Sequence, residues 1–146
     1  MKTSRTTLKE YALRHTGSRE DILDVFYKNQ YAMSHSYLEE TLNDRFDRVT
    51  IYRTLKTFLE KGIVHKVLDD VGGTKYALCK TSDCSHEAHH HDHVHFKCVT
   101  CEQTSCLDDT HIQTFSLPEG YKRLEINMLV QGICPKCSPP TPRGGA

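Results

Sequence analysis

Apolar positions in the first sixty residues recur at helical spacing. Ile22, Leu23 and Phe26 share one face of a segment running from Arg19 to about Asn29, which Ser18 caps behind Gly17. Leu8 to His15 predicts a shorter helix before it. Ser34 or Ser36 caps a third, and Ser36 with Glu39 forms a capping-box pattern. A fourth begins at Asp47, a good N-cap, runs to about Lys61 and stops at Gly62. Within it Ile51, Leu55, Phe58 and Leu59 make a core-facing stripe. Arg48, Tyr52 and Lys56 fall on another face with Arg53 beside them, so this second stripe is basic and carries an aromatic ring.

The period then changes. Ile63 to Leu68 and Lys75 to Leu78 are short apolar runs around Asp69-Asp70-Val71-Gly72-Gly73, the pattern of a β-hairpin. Helices followed by a hairpin are the order of a winged helix, in which the last long helix enters the major groove and the hairpin is the wing. Cys79 to Asp92 is polar, rich in His and without period, and reads as loop and linker. Behind it Val94 and Phe96 alternate, as do Leu124, Ile126, Met128 and Val130 against Asn127 and Gln131, so both stretches predict strands. Thr110 to Ser116 predicts a short helix closed by Leu117-Pro118-Glu119-Gly120. The fold class is α+β: an N-terminal winged helix-turn-helix DNA-binding domain over 1–82, a His-rich hinge over 83–92, a small α/β domain over 93–138 and a disordered Pro/Gly tail over 139–146.

The chain of 146 residues has no net charge, but its charge is unevenly placed. Residues 1–66 hold 12 Lys/Arg against 9 Asp/Glu, and residues 67–146 hold 7 against 10. Non-specific attraction to phosphate is therefore weak, and DNA binding must depend on a positioned element and on pairing of two copies. No apolar run approaches the ~18 residues of a membrane span, and no secretory signal opens the chain, which predicts a cytoplasmic protein.

Seven cysteines and ten histidines change the picture more. Nearly all lie behind residue 64, and a reducing compartment disfavours structural disulfides. Clustered Cys and His there point to metal. Cys98-Val99-Thr100-Cys101 and Cys134-Pro135-Lys136-Cys137 are two CxxC pairs, each at a strand end. Four thiolates satisfy tetrahedral zinc and leave no open position, so the site is structural. A thioredoxin-like reading fails because neither pair opens a helix after a buried strand.

A second site is drawn from the remainder. His93 and His95 are two residues apart on a strand and point to one face. His65, at the root of the hairpin, and Cys79, at its exit, lie near the junction of the two halves. His86, His89, His90 and His91 read as a solvated linker that picks up metal loosely. A hydrolase would need an open metal position and a general base. Glu87 or Glu102 could be nominated, but neither sits in a catalytic motif, so the chain does not read as an enzyme. A zinc store built on the His-rich loop leaves the basic stripe of the fourth helix unexplained.

Three segments together resemble the ferric uptake regulator family: Val49-Thr50-Ile51-Tyr52-Arg53-Thr54-Leu55; His89-His90-His91-Asp92-His93-Val94-His95-Phe96-Lys97-Cys98-Val99-Thr100-Cys101; and Gly132-Ile133-Cys134-Pro135-Lys136-Cys137. The resemblance covers roughly residues 5–137. It implies a homodimeric metalloregulator whose C-terminal half is the dimerisation domain, and which, loaded with metal, binds palindromic double-stranded operators and represses genes of metal acquisition. It implies that Tyr52 touches bases, that Arg53 holds a phosphate beside Arg48 and Lys56, and that Cys98, Cys101, Cys134 and Cys137 hold structural zinc. Iron sensors of the family carry Glu where Ala77 stands, His where Ala32 stands and Glu where Cys106 stands. The branch that senses zinc uses an Asp in the wing, a Cys after it and two strand histidines, and these positions match His65, Cys79, His93 and His95. Such a set suits zinc over ferrous iron, the alternative. Cys106 and Cys84 are competing ligands. A third metal site of the family falls on Gln113 and Ile126 and looks lost, unless His111 or Glu125 compensates.

Overall fold

The computed structural model describes residues 2–68, 73–79, 93–113, 115–124, 126 and 128–139, without the side chains of His93, Asp108 and His111. The expected hinge over 83–92, Cys84 and the tail from residue 140 lie outside the described residues. The elements are helices α1 (Ser4–Glu10) and α2 (Gly17–Lys28), strand β1 (Met33–Ser34), helices α3 (His35–Thr41) and α4 (Arg48–Lys61), then strands β2 (Val64–Leu68), β3 (Thr74–Leu78), β4 (His93–Cys98), β5 (Thr104–His111) and β6 (Leu129–Gly132).

Each helix of the first half is set by its cap. The α4 boundaries follow the expected signals: the Asp47 carboxylate accepts the Thr50 N–H at 2.7 Å, and Gly62 takes a left-handed φ of 74°. Two other starts differ from expectation. α1 lies earlier than Leu8 to His15, because Thr3 caps it and Ala12, at φ 53°, turns the chain out of the helix. α2 is capped by Thr16, whose hydroxyl accepts the Arg19 N–H, rather than by Ser18. Of the two serines before α3, Ser34 is the cap, accepting the Tyr37 N–H at 3.1 Å.

The apolar faces of these helices meet in one core of Leu8, Ile22, Leu23, Phe26, Leu38, Ile51, Leu55 and Phe58, closed by Val64 from β2. The expected hairpin is present, with Val64 opposite Leu78 and Leu68 opposite Thr74. β1, too short to show in the pattern, adds a third strand in the order β1-β3-β2.

The second sheet has the order β5-β4-β6, with β4 antiparallel to β5 and parallel to β6. The expected helix over Thr110 to Ser116 is absent among its described residues. β5 instead runs on until His111 pairs with His93. β-branched Thr110 and Ile112 favour extended backbone, and Ile112 and Phe115 alone are too few apolar positions to hold a helical turn. The expected strand from Leu124 is shorter as well. Among the described residues its pairing with β4 starts at Leu129, opposite His95.

This second half buries few apolar residues of its own, Val94 and Cys98 among those described, and leaves Phe115, Tyr121 and Leu124 exposed. A core so thin needs help from metal or a partner surface. The halves touch through hydrogen bonds: Ala32 N–H to the Thr104 carbonyl at 2.7 Å, Lys75 Nζ to Thr104 Oγ1 at 3.3 Å, and Lys136 Nζ to the Tyr31 hydroxyl at 3.1 Å.

Candidate metal centres and nucleic-acid interface

β4 ends at Cys98, and the turn after it carries Cys101. The chain leaves β6 at Gly132 and turns through Cys134 and Cys137. Because β4 and β6 run parallel side by side, both turns open at the same end of the sheet, and the four sulfurs lie within 4.8 Å of one another. None of the described cysteines forms a disulfide. A tetrahedral ion with Zn–S of about 2.3 Å sets its sulfurs about 3.8 Å apart. The Cys101 and Cys134 sulfurs are 4.0 Å apart, far beyond a covalent S–S bond and close to the edge of that tetrahedron.

The electrostatics fit a cation. Backbone N–H groups of Cys101 and then Cys134 face the Cys98 sulfur and bring its thiol down to about 6. The neighbouring sulfurs, Cys134 first, push Cys137 up to about 12. A cluster that ionises its first thiol easily and its last with difficulty is completed by a dication, which removes the mutual repulsion of the thiolates. The donor set therefore suits structural zinc.

A second cluster lies at the junction of the halves. His65 on β2 is 4% exposed and His95 on β4 is 6% exposed. Their Nε2 atoms are 3.4 Å apart, and His65 Nε2 is 3.2 Å from the sulfur of Cys106 on β5. His95 and Cys106 stand directly opposite in the β4–β5 register. The Cys79 sulfur also reaches His65, at 3.3 Å, but through the other ring nitrogen, Nδ1. Of the residues expected here, the fold thus gathers His65, His95 and Cys79 around one imidazole and adds Cys106. His93 sits two positions before His95 on β4, and its side chain lies outside the described residues. The signals in the sequence for Cys106 are its residue type and its match to a position where iron sensors of the family carry Glu. Its place beside His95 depends on a register that no local pattern encodes.

The outer face of α4 is free of the core. Tyr52 is 58% exposed, and Arg48, Arg53 and Lys56 are exposed beside it. Arg48 Nε lies 3.5 Å from a Glu39 oxygen, which also faces His35 at 3.3 Å, so part of its charge is already matched. Arg53 and Lys56 point outward from a helix held on its other side by Ile51, Leu55 and Phe58.

The sequence profile of the Ferric uptake regulator family matches residues 10–128. The chain belongs to this family. The Ferric uptake regulation protein of Staphylococcus aureus is 30% identical over 135 residues, spanning 89% of this chain and 92% of that one. A zinc uptake regulator solved with zinc and DNA superposes with a TM-score of 0.67 at 20% identity, over 91% of this chain and 89% of the other. The ferric uptake regulator of Vibrio cholerae superposes with a TM-score of 0.58 at 21% identity, over 89% and 98%. At these identities the structural likeness establishes the fold, an N-terminal winged helix followed by a dimerisation domain.

This regulator is accordingly a metal-responsive transcriptional repressor and not an enzyme. Members of the family bind DNA as dimers. No helix among the described residues is long and apolar enough to cross a membrane.

Proposed function

We propose that this ferric uptake regulator family member is a cytoplasmic, zinc-dependent repressor of metal-uptake genes, acting as a homodimer on palindromic operator DNA. The observation that carries the metal is the donor set at the junction: two buried imidazoles and a thiol from three strands, with a second thiol on the far nitrogen of His65. Sulfur and imidazole without carboxylate suit zinc over ferrous iron. Two positions where iron sensors carry donors are here Ala32 and Ala77, which pack with Val67 into a buried apolar wall beside Cys106.

In this reading residues 1–82 read DNA, 83–92 form the hinge and 93–138 pair two copies. The exposed Phe115, Tyr121 and Leu124, with β5 and β6 as the outer strands of the sheet among the described residues, support that pairing surface. Cys98, Cys101, Cys134 and Cys137 hold structural zinc and tie β4 to β6. His65, Cys79, His93, His95 and Cys106 are the candidate donors of the regulatory site. When bound there, zinc supplies a dication shared between the two halves. His65 then anchors β2, and with it α4, to the strand that carries His95. A dimer so braced keeps its two α4 helices at the ~34–36 Å separation of successive major grooves. Tyr52 reaches base edges, while Arg53, Lys56 and Arg48 hold phosphates. Metal shifts the population only to the extent that the braced arrangement binds it more tightly than the open one.

The test is metal-resolved selection. Chelated protein is loaded with Zn²⁺ or with Fe²⁺, and duplexes are selected from a random-sequence library under each condition. Enrichment of a palindrome with zinc alone is expected. Enrichment with iron alone overturns the zinc assignment in favour of the iron response carried by the Staphylococcus aureus relative's name.

A further inference from the structure

Among the described residues the junction offers two thiols to one imidazole, and a single ion cannot use both. The lone pairs of Nδ1 and Nε2 diverge from the ring, so a donor on one side of it does not share a metal with a donor on the other. Cys79 faces Nδ1 at 3.3 Å. Cys106 faces Nε2 at 3.2 Å, where His95 Nε2 also lies, 3.4 Å away. For a tetrahedral ion with Zn–N of about 2.05 Å and Zn–S of about 2.3 Å, the N···N edge is about 3.4 Å and the N···S edge about 3.6 Å. The two edges that meet at His65 Nε2, 3.4 Å to His95 and 3.2 Å to Cys106, approach those values, and the donor atoms of all three residues lie within 4.8 Å of one another.

We infer that Cys106 is the thiolate ligand of the regulatory site, with His65 and His95 both bonding through Nε2, and that Cys79 is a positioning residue that fixes the His65 ring from Nδ1. The inference rests on the junction being the regulatory site and goes beyond it by sorting the two thiols. The fold supports the sorting. His95 and Cys106 are a cross-strand pair on adjacent strands, so their separation is set by the sheet and not by a loop. Both belong to the second half. Of the described residues of the first half, His65 then reaches the ion, and metal-selective softness is written into β5 at one position. A carboxylate there would turn the same cage toward harder ions.

Cobalt reports the thiolate directly, because a Co–S bond adds a near-ultraviolet charge-transfer band that Co–N and Co–O bonds do not. Protein that retains its four-cysteine zinc and has been stripped at the junction by mild chelation is titrated with Co²⁺. The variants are Cys106→Ser, Cys106→Asp and Cys79→Ser, with circular dichroism and zinc content as controls for folding. The wild type is expected to gain the band with one cobalt. Cys79→Ser should keep the band with affinity lowered about 10–100-fold, the usual cost of losing a residue that orients a ligand. Cys106→Asp should bind cobalt without the band, which also shows that the site survives substitution. Cys106→Ser should lose the band. A band that persists in Cys106→Asp, or vanishes or halves in Cys79→Ser, overturns the inference and leaves the zinc reading standing. Failure of folded wild-type protein to take up cobalt at the junction overturns both.

Discussion

Replacing Arg53 by Ala should change how DNA binding responds to salt more than it changes anything else. Two outward cations flank Tyr52 on α4 of each protomer, Arg53 and Lys56, while Arg48 already lies against the Glu39 carboxylate. A dimer would then neutralise about four phosphates through this helix pair, a slope of log affinity on log salt of about −3.6 at −0.9 per phosphate. Between 50 and 200 mM salt that slope costs about 150-fold in affinity. Arg53→Ala removes two of the four contacts, halves the slope to about −1.8 and leaves a loss of about 12-fold over the same range. The assay is fluorescence anisotropy with a selected duplex at four or more salt concentrations under saturating Zn²⁺. Tyr52→Ala is the internal contrast: it should relax base preference and leave the slope near its wild-type value. An unchanged slope in Arg53→Ala, or an equal change in Tyr52→Ala, would refute the division of labour on this helix face.

Three further outcomes are expected. Phe58 is fully buried on the inner face of α4, so Phe58→Ala should lower stability by about 3–5 kcal/mol in urea unfolding; a loss under about 1 kcal/mol would mean the core is not as described. The double variant Cys134→Ser/Cys137→Ser should lose one tightly held zinc by elemental analysis and become cleavable by protease between β5 and β6, while the helical signal of the first half persists. Glu20 is held below its usual 4.5 by Arg5 first and then His15, so its contribution is present above that value and fades as pH falls through the lower folded one. The Tm difference between wild type and Glu20→Gln should therefore shrink on acidification below about pH 4.5; a difference that grows in that direction contradicts the ion pair.

What was legible in the sequence follows from what is local in the physics. Asp47, the Ile51-Leu55-Phe58 stripe and Gly62 each act within a turn or two, and α4 lies where they predict. The hairpin and the paired cysteines are short-range as well. The starts of α1 and α2 differ from expectation because Thr3 and Thr16 compete with later capping residues, and the winner depends on which entry angle packs Leu8 and Ile22 into the core. The far end of β5 departs from the expected helix because His111 pairs with His93 on β4, a partner remote in sequence. For the same reason His65 and His95 were recognisable as donors, while the closeness of Cys106 to both emerges only when three strands come together.

The parallel pairing of β4 with β6 has a consequence for biogenesis. Cys134 donates its N–H to a sulfur 36 residues earlier, so the tetrad cannot close while a ribosome has yet to emit that last strand. The helical reader, knit from nearby contacts, can form first and wait. The second half, which buries few apolar residues of its own among those described, can therefore close only after that strand has been made.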